Sequence, residues 1–190
     1  EDSKRTDILS LDGDLKPDMA SLTLSSFNFN KQASLNPPET ILQLLHEMNM
    51  RDIKPELEAF DSGMINYAKY LIKKGLLTPP HYMNLILGNI ACAQADLLHL
   101  SVMINDLPED CLCSIGGMGA NQIVMNSLAI AMGLGVRTGL EDNLWYDSKR
   151  TKLAKNIDLL ERVHMLIHAN EKELMHPAEL RNRLHLRGKR

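Results

Sequence analysis

Residues 135–145 read GVRTGLEDNLW, and this stretch decides between the folds open to the chain. Read as a strand over residues 135–140, alternation places Arg137, Gly139 and Glu141 on one face and Val136, Thr138 and Leu140 on the other. A charge on the inward face of a sheet is costly to bury unless it finds an opposite charge or a metal. Arg137 and Glu141 answer one another, Gly139 leaves room between them, and Asp142 and Asn143 add polar groups at the rim. An inward ion pair that only stabilises the sheet would show the same pattern. Functional polar groups nevertheless concentrate where such strands end.

Four further short apolar runs precede it: residues 20–24 (ASLTL), 56–60 (ELEAF), 82–87 (YMNLIL) and 111–115 (CLCSI), each bounded by Gly, Pro or Asn. Helical spacing fills the intervals over residues 38–50, 63–77, 95–107 and 121–132. Two more helices follow. Residues 152–170 carry Leu153, Ile157, Leu160, Val163, Leu166 and Ile167 on one stripe, and residues 177–186 open with proline. Strand and helix alternate every 30 residues or roughly so, the size of a βαβ unit, so the sheet is parallel and covered by helices. An open doubly wound sheet and the second half of a (β/α)₈ TIM barrel both fit this rhythm. The inward charges at strand ends favour the α/β barrel. Residues 1–190 are read as one domain, with 1–15 a linker or helix end and 176–190 a C-terminal helix and tail. The opening EDSKRTD is charged, carries no initiator methionine and shows no signal peptide, so the chain is expected to begin within a larger fold.

Composition excludes several classes of function. Hydrophobic residues make up 44% of the 190 and the net charge is −3, which suits a globular domain with a sizeable core. The basic stretch is the tail, residues 181–190 (RNRLHLRGKR), read as a solvated helix end whose cations complement the helix dipole, so no nucleic-acid partner is expected. The apolar run over residues 127–136 is too short for a bilayer, so no membrane partner is expected either. Three cysteines make no disulfide framework and point to a reducing cytoplasm. Alternation puts Cys111 and Cys113 on one strand face as core thiols rather than metal ligands. Of the seven histidines, only His164 and His168 have a spacing that zinc could use, and a half-exposed helix face explains them better.

Candidate functional residues follow from strand ends. Glu58 is a mid-strand carboxylate that needs a cation, either Arg137 or a metal, and a packing role for it is equally open. Thr23 is a weaker candidate, since threonine is an ordinary strand residue. In SIGGMGANQ, Gly116, Gly117 and Gly119 could bring backbone N–H groups to an anion at a helix N-terminus, or simply make a tight turn.

Taken together, KPDMASLTLSSFNF, IKPELEAFDSGMI, LLTPPHYMNLILG, SIGGMGANQ and VRTGLEDN resemble the β-keto acid cleavage enzyme family, over residues 16–186. The resemblance implies a (β/α)₈ barrel of which this chain supplies about strands four to eight. It implies a divalent metal, usually zinc, held by Glu141 and by two histidines of an H-x-H pair. Asp142 would be the general base, Arg137 would orient it, and Glu58 and Thr23 would line the pocket. The implied reaction moves an acyl group: a β-keto acid and acetyl-CoA give acetoacetate and a new CoA thioester. A cytoplasmic homo-oligomer, typically a tetramer, is implied as well. No H-x-H occurs in the sequence, so the polypeptide alone is expected to bind zinc weakly and to be inactive. Two other readings are a non-catalytic barrel fragment serving as an oligomer scaffold, and a phosphate-binding aldolase or isomerase.

Overall fold

Five parallel strands lie side by side in the order in which the chain makes them. The structure is a computed structural model and describes residues 6–187. After two 3₁₀ turns come β1 (Met19–Thr23), a small hairpin of β2 (Phe27–Asn28) and β3 (Ala33–Ser34), then α1 (Pro38–Met50) and β4 (Lys54–Ala59). α2 (Ser62–Lys73), β5 (His81–Leu87), α3 (Leu97–Asn105), β6 (Cys111–Gly117), α4 (Asn121–Ala131) and β7 (Gly135–Val136) continue the alternation. α5 (Asn156–Ala169) and α6 (Pro177–Arg183) close it. The sheet order β1-β4-β5-β6-β7 has no reversal. A doubly wound sheet must reverse at a switch point, and this one does not. Right-handed crossovers that always step the same way put every helix on one face, which is how a barrel arc is built.

The register sorts the side chains accordingly. Leu22, Leu57, Ala59, Met83, Leu85, Leu87, Cys113 and Ile115 point to the helices and are buried. They meet Ile41, Leu45 and Met48 of α1, Ile65, Ala68 and Leu71 of α2, Leu100 and Met103 of α3, and Met125 and Ala129 of α4, all in one core. The opposite face carries Ser21, Thr23, Glu56, Glu58, Tyr82, Asn84, Ser114 and Gly116. Burial pushes the Cys111 thiol up to about 12 and the Cys113 thiol to about 11, as expected of inert core thiols.

The elements depart from the sequence reading where local chemistry intervenes. β4 starts at Lys54 and so takes in Pro55, because pairing to β5 begins only at Glu56 and the missing N–H costs no ladder bond there. α2 stops at Lys73 because Gly75 turns left-handed at φ +71. The SSFNFNK loop holds the β2–β3 hairpin, whose Phe27 stacks on Phe60 with centroids 4.2 Å apart. On α5 the buried face is Leu159 and Val163, while Ile157 and Leu160 of the expected stripe are exposed. His164 and His168 are exposed. The basic tail is not a free helix end. Arg181 Nη1 lies 2.8 Å and Arg187 Nη2 3.3 Å from the Asp18 carboxylate at the start of β1. The Arg181 hydrogen bond holds the Asp18 carboxyl below its ordinary range. Residues 1–5 and 188–190, the outermost parts of the expected linker and tail, lie outside the described residues. No helix among the described residues is long and apolar enough to cross a membrane.

Candidate active site

The carboxyl ends of β1, β4 and β7 bring one arginine and three carboxylates together. Thr23, the last residue of β1, donates its hydroxyl to Glu58 Oε2 at 2.7 Å. Glu58 Oε1 accepts from Arg137 Nη1 at 3.0 Å. Arg137 Nε donates to Asp142 Oδ2 at 2.8 Å, and Nη2 reaches Asp142 Oδ1 at 3.3 Å and Glu141 Oε2 at 2.7 Å. The guanidinium grips Asp142 side-on, which fixes the plane of that carboxylate. Burial alone would weaken the Arg137 proton affinity, but the hydrogen bond and charge of Asp142, with Glu58 and Glu141, hold it more firmly protonated than usual.

Of the residues singled out from the sequence, Thr23, Glu58, Arg137, Glu141 and Asp142 meet here, though not as strand alternation describes. β7 ends at Val136, and residues 137–142 form a turn in which Asn143 N–H bonds the Gly139 carbonyl. Asp142, expected at the rim, is the most enclosed member, with 5% of its side chain exposed against 79% for Glu141. The Asp142 carboxyl beside it, helped by burial, raises the Glu141 pKa. One guanidinium among three carboxylates leaves the cluster at −2. A divalent cation at the exposed Glu141 would relieve that crowding, so this carboxylate suits a metal ligand. Among the described residues no three His, Cys, Asp or Glu side chains are grouped to hold a metal ion.

Deeper on the same face, Tyr82 donates to Ser114 at 3.2 Å, Ser114 donates to Asn84, and Asn84 donates to Glu56. This chain of bonds lets the sheet keep polar side chains inside with their partners supplied.

The glycine turn has its own geometry. Gly116 lies under the Arg137 stem, where a Cβ would come within 3.2 Å of the side chain. A Cβ at Gly117 would stand 2.6 Å from the Asn121 carbonyl. Gly119, at φ +58, donates its N–H to the Asp142 carbonyl at 2.8 Å. The N–H groups of Met118, Asn121 and Gln122 are likewise taken by protein carbonyls.

Two functional side chains escape a reading of the sequence. Asn126 of α4 donates to the carbonyls of Ile115 (3.2 Å) and Arg137 (2.8 Å), and Gln122 one turn earlier donates to the Gly139 carbonyl at 2.9 Å. Gln122 also accepts from the Thr138 hydroxyl at 3.3 Å. Both amides are buried, and they replace the ladder where β7 stops. Their signal was present: 122, 126 and 129 share the core-facing stripe of α4, and amides in such a stripe need buried partners. Asn126→Leu strands the Arg137 carbonyl, while the Ile115 carbonyl keeps the Arg137 N–H at 3.0 Å, and is expected to cost about 1–3 kcal/mol in urea unfolding.

The fold and site together define an α/β protein with a carboxylate–arginine centre at the mouth of its sheet. A family model described as beta-keto acid cleavage enzyme matches residues 1–186. The chain belongs to the β-keto acid cleavage enzyme family. It is 35% identical to a 3-keto-5-aminohexanoate cleavage enzyme of Fusobacterium nucleatum over 92% of this chain and 63% of that protein. It is 30% identical to a 3-dehydrocarnitine:acetyl-CoA trimethylamine transferase of Rhizobium meliloti, over 90% and 57%. The chain thus spans less than two thirds of the length of these relatives. Among solved structures, a ternary complex of ObcA with a C4-CoA adduct and oxalate superposes with a TM-score of 0.75 at 18% identity, covering 95% of this chain and 48% of that one. That likeness bears on the fold, and it agrees with a sheet that forms part of a (β/α)₈ barrel.

Proposed function

We propose that this chain carries the catalytic face of a metal-dependent β-keto acid cleavage enzyme. In the whole protein an acyl group passes from a β-keto acid to CoA while the acetyl group of acetyl-CoA becomes part of acetoacetate. The observation that carries this reading is the Arg137 cluster, in which one guanidinium aims a nearly buried Asp142 carboxylate and ties it to Glu58.

Asp142 is the general base. It takes a proton from the carbon between the carboxylate and the keto group of the β-keto acid, and the proton returns to the same carbon of acetoacetate at the end. Arg137 holds that carboxylate in a fixed orientation through its Nε and Nη2 hydrogen bonds. Glu58, fixed by Thr23 and Arg137, sets the far side of the guanidinium and offers a hydrogen-bond acceptor to substrate. Glu141 would hold the zinc, which when bound supplies Lewis-acid polarisation of the keto oxygen. Its remaining ligands come from outside the described residues, so this polypeptide by itself is expected to bind zinc weakly and to turn over nothing. The same reading makes the whole enzyme a cytoplasmic homo-oligomer.

The test is CoA-thioester formation from a panel of β-keto acids by the full-length protein, alongside Glu141→Ala. The variant is expected to lose its metal on gel filtration and its turnover with it. Wild-type zinc content and turnover in Glu141→Ala would rule the assignment out.

A further inference from the structure

The loop that leaves the site is strongly basic. Residues 147–155, DSKRTKLAK, hold four cations and one carboxylate, a net +3 in a chain whose total is −3. It begins five residues after Asp142, so it shares the carboxyl-end mouth of the sheet with the Arg137 cluster.

The segment is built rather than loose. Trp145 and Leu153 form an antiparallel bridge, flanked by Tyr146 N–H to the Lys152 carbonyl (2.9 Å) and Ala154 N–H to the Leu144 carbonyl (3.0 Å). Asp147 folds the tip by accepting from Thr151 N–H at 3.0 Å, Thr151 Oγ1 at 2.7 Å and Lys152 N–H at 2.8 Å. Its base is tied to the site, because Asn156 Oδ1 accepts from Leu140 N–H at 2.9 Å and Asn143 bonds both N–H and carbonyl of Trp145. The one carboxylate is therefore consumed by the backbone. The cations are not: among the described residues none of Lys149, Arg150, Lys152 and Lys155 has an ion-pair partner, and all four are exposed. Lys152 Nζ sits 4.5 Å from the Tyr146 ring centre and Arg162 of α5 lies 4.8 Å from the same centre, so one ring contacts two positive charges.

Clustered cations on a rigid loop are self-repelling and fit a polyanion that arrives in bound form. The glycine turn is poorly suited to that task, since the N–H groups of Met118, Gly119, Asn121 and Gln122 are already engaged by protein carbonyls. We propose that the 147–155 loop, with Lys149, Arg150 and Lys152 foremost, is the docking site for the phosphate groups of the CoA thioester, leaving the pantetheine arm to reach the Arg137 cluster. This rests on the acyl-transfer reading above for the identity of the polyanion.

Calorimetric titration of CoA, and of pantetheine without the nucleotide, onto full-length wild type and a Lys149→Gln/Arg150→Gln/Lys152→Gln variant tests it. The Kd for CoA is expected to weaken about 10- to 100-fold in the variant, since three solvent-exposed charges are removed. The Kd for pantetheine stays as in wild type, and the CoA difference narrows at high salt. An unchanged CoA Kd overturns the proposal, as does an equal loss for both ligands or no CoA binding by wild type. Turnover is read separately: loop-dependent CoA binding without thioester exchange would remove the reaction assignment and leave the docking site standing.

Discussion

Asp142→Asn in the full-length enzyme lowers kcat by about 10²–10⁴, the range associated with loss of a positioned general base. The substitution keeps the shape of the side chain, and Arg137 remains held by Glu58 at 3.0 Å and Glu141 at 2.7 Å, so the centre stays assembled. What disappears is the negative charge and the basic oxygen. Because Asp142 is almost enclosed, water cannot easily take over as base from its position. KM for the keto acid should move little, since the carboxylate acts on the reacting proton rather than on binding. Steady-state kinetics on both substrates give kcat and KM separately. A KM-only defect would assign Asp142 to substrate binding instead.

Arg137→Met removes the one cation from among three carboxylates and is expected to abolish turnover and to destabilise the protein. Glu58 and Asp142, with 13% and 5% of their side chains exposed, would be left facing each other without compensation. Breaking such an enclosed pair from one side costs about 3–5 kcal/mol, and urea unfolding should show it. Arg137→Lys is the informative companion. A single ammonium retains the charge but cannot bond Nε- and Nη-fashion to Asp142 while reaching Glu58, so stability should recover more than activity does. Equal recovery of both would mean that charge alone matters and that orientation of Asp142 does not.

How far the sequence carries the reader depends on which interaction sets each element. β5, β6 and α1 are apolar runs or stripes with clear punctuation, and their positions follow from pattern because burial is what defines them. The meeting of Glu58 with Arg137 is legible as one of the open alternatives, since a mid-strand carboxylate needs a cation and Arg137 is one of the two on offer. The turn after β7 is not. Its path is dictated by Gln122 and Asn126, whose amides capture the carbonyls of residues 137 and 139, and no strand rule contains a side chain from the preceding helix. For that reason alternation chooses Glu141 as the inward carboxylate, whereas the fold encloses Asp142 and leaves Glu141 open. The fate of the basic tail is hidden in the same way. Arg181 meets Asp18 across 163 residues of chain, a pairing that only the tertiary fold brings about. The absence of a reversal in strand order, which separates barrel from doubly wound sheet, is likewise a property of topology and not of any local pattern.

On the proposed mechanism the Arg137 cluster makes and breaks carbon–carbon bonds next to a CoA thioester. Full-length protein incubated with a β-keto acid and acetyl-CoA labelled in the acetyl carbons tests it most directly. Label appearing in the keto carbon and the adjacent methyl carbon of acetoacetate, in step with a new unlabelled acyl-CoA, is the predicted result. Label that stays in the thioester, or is released only as acetate, would contradict it.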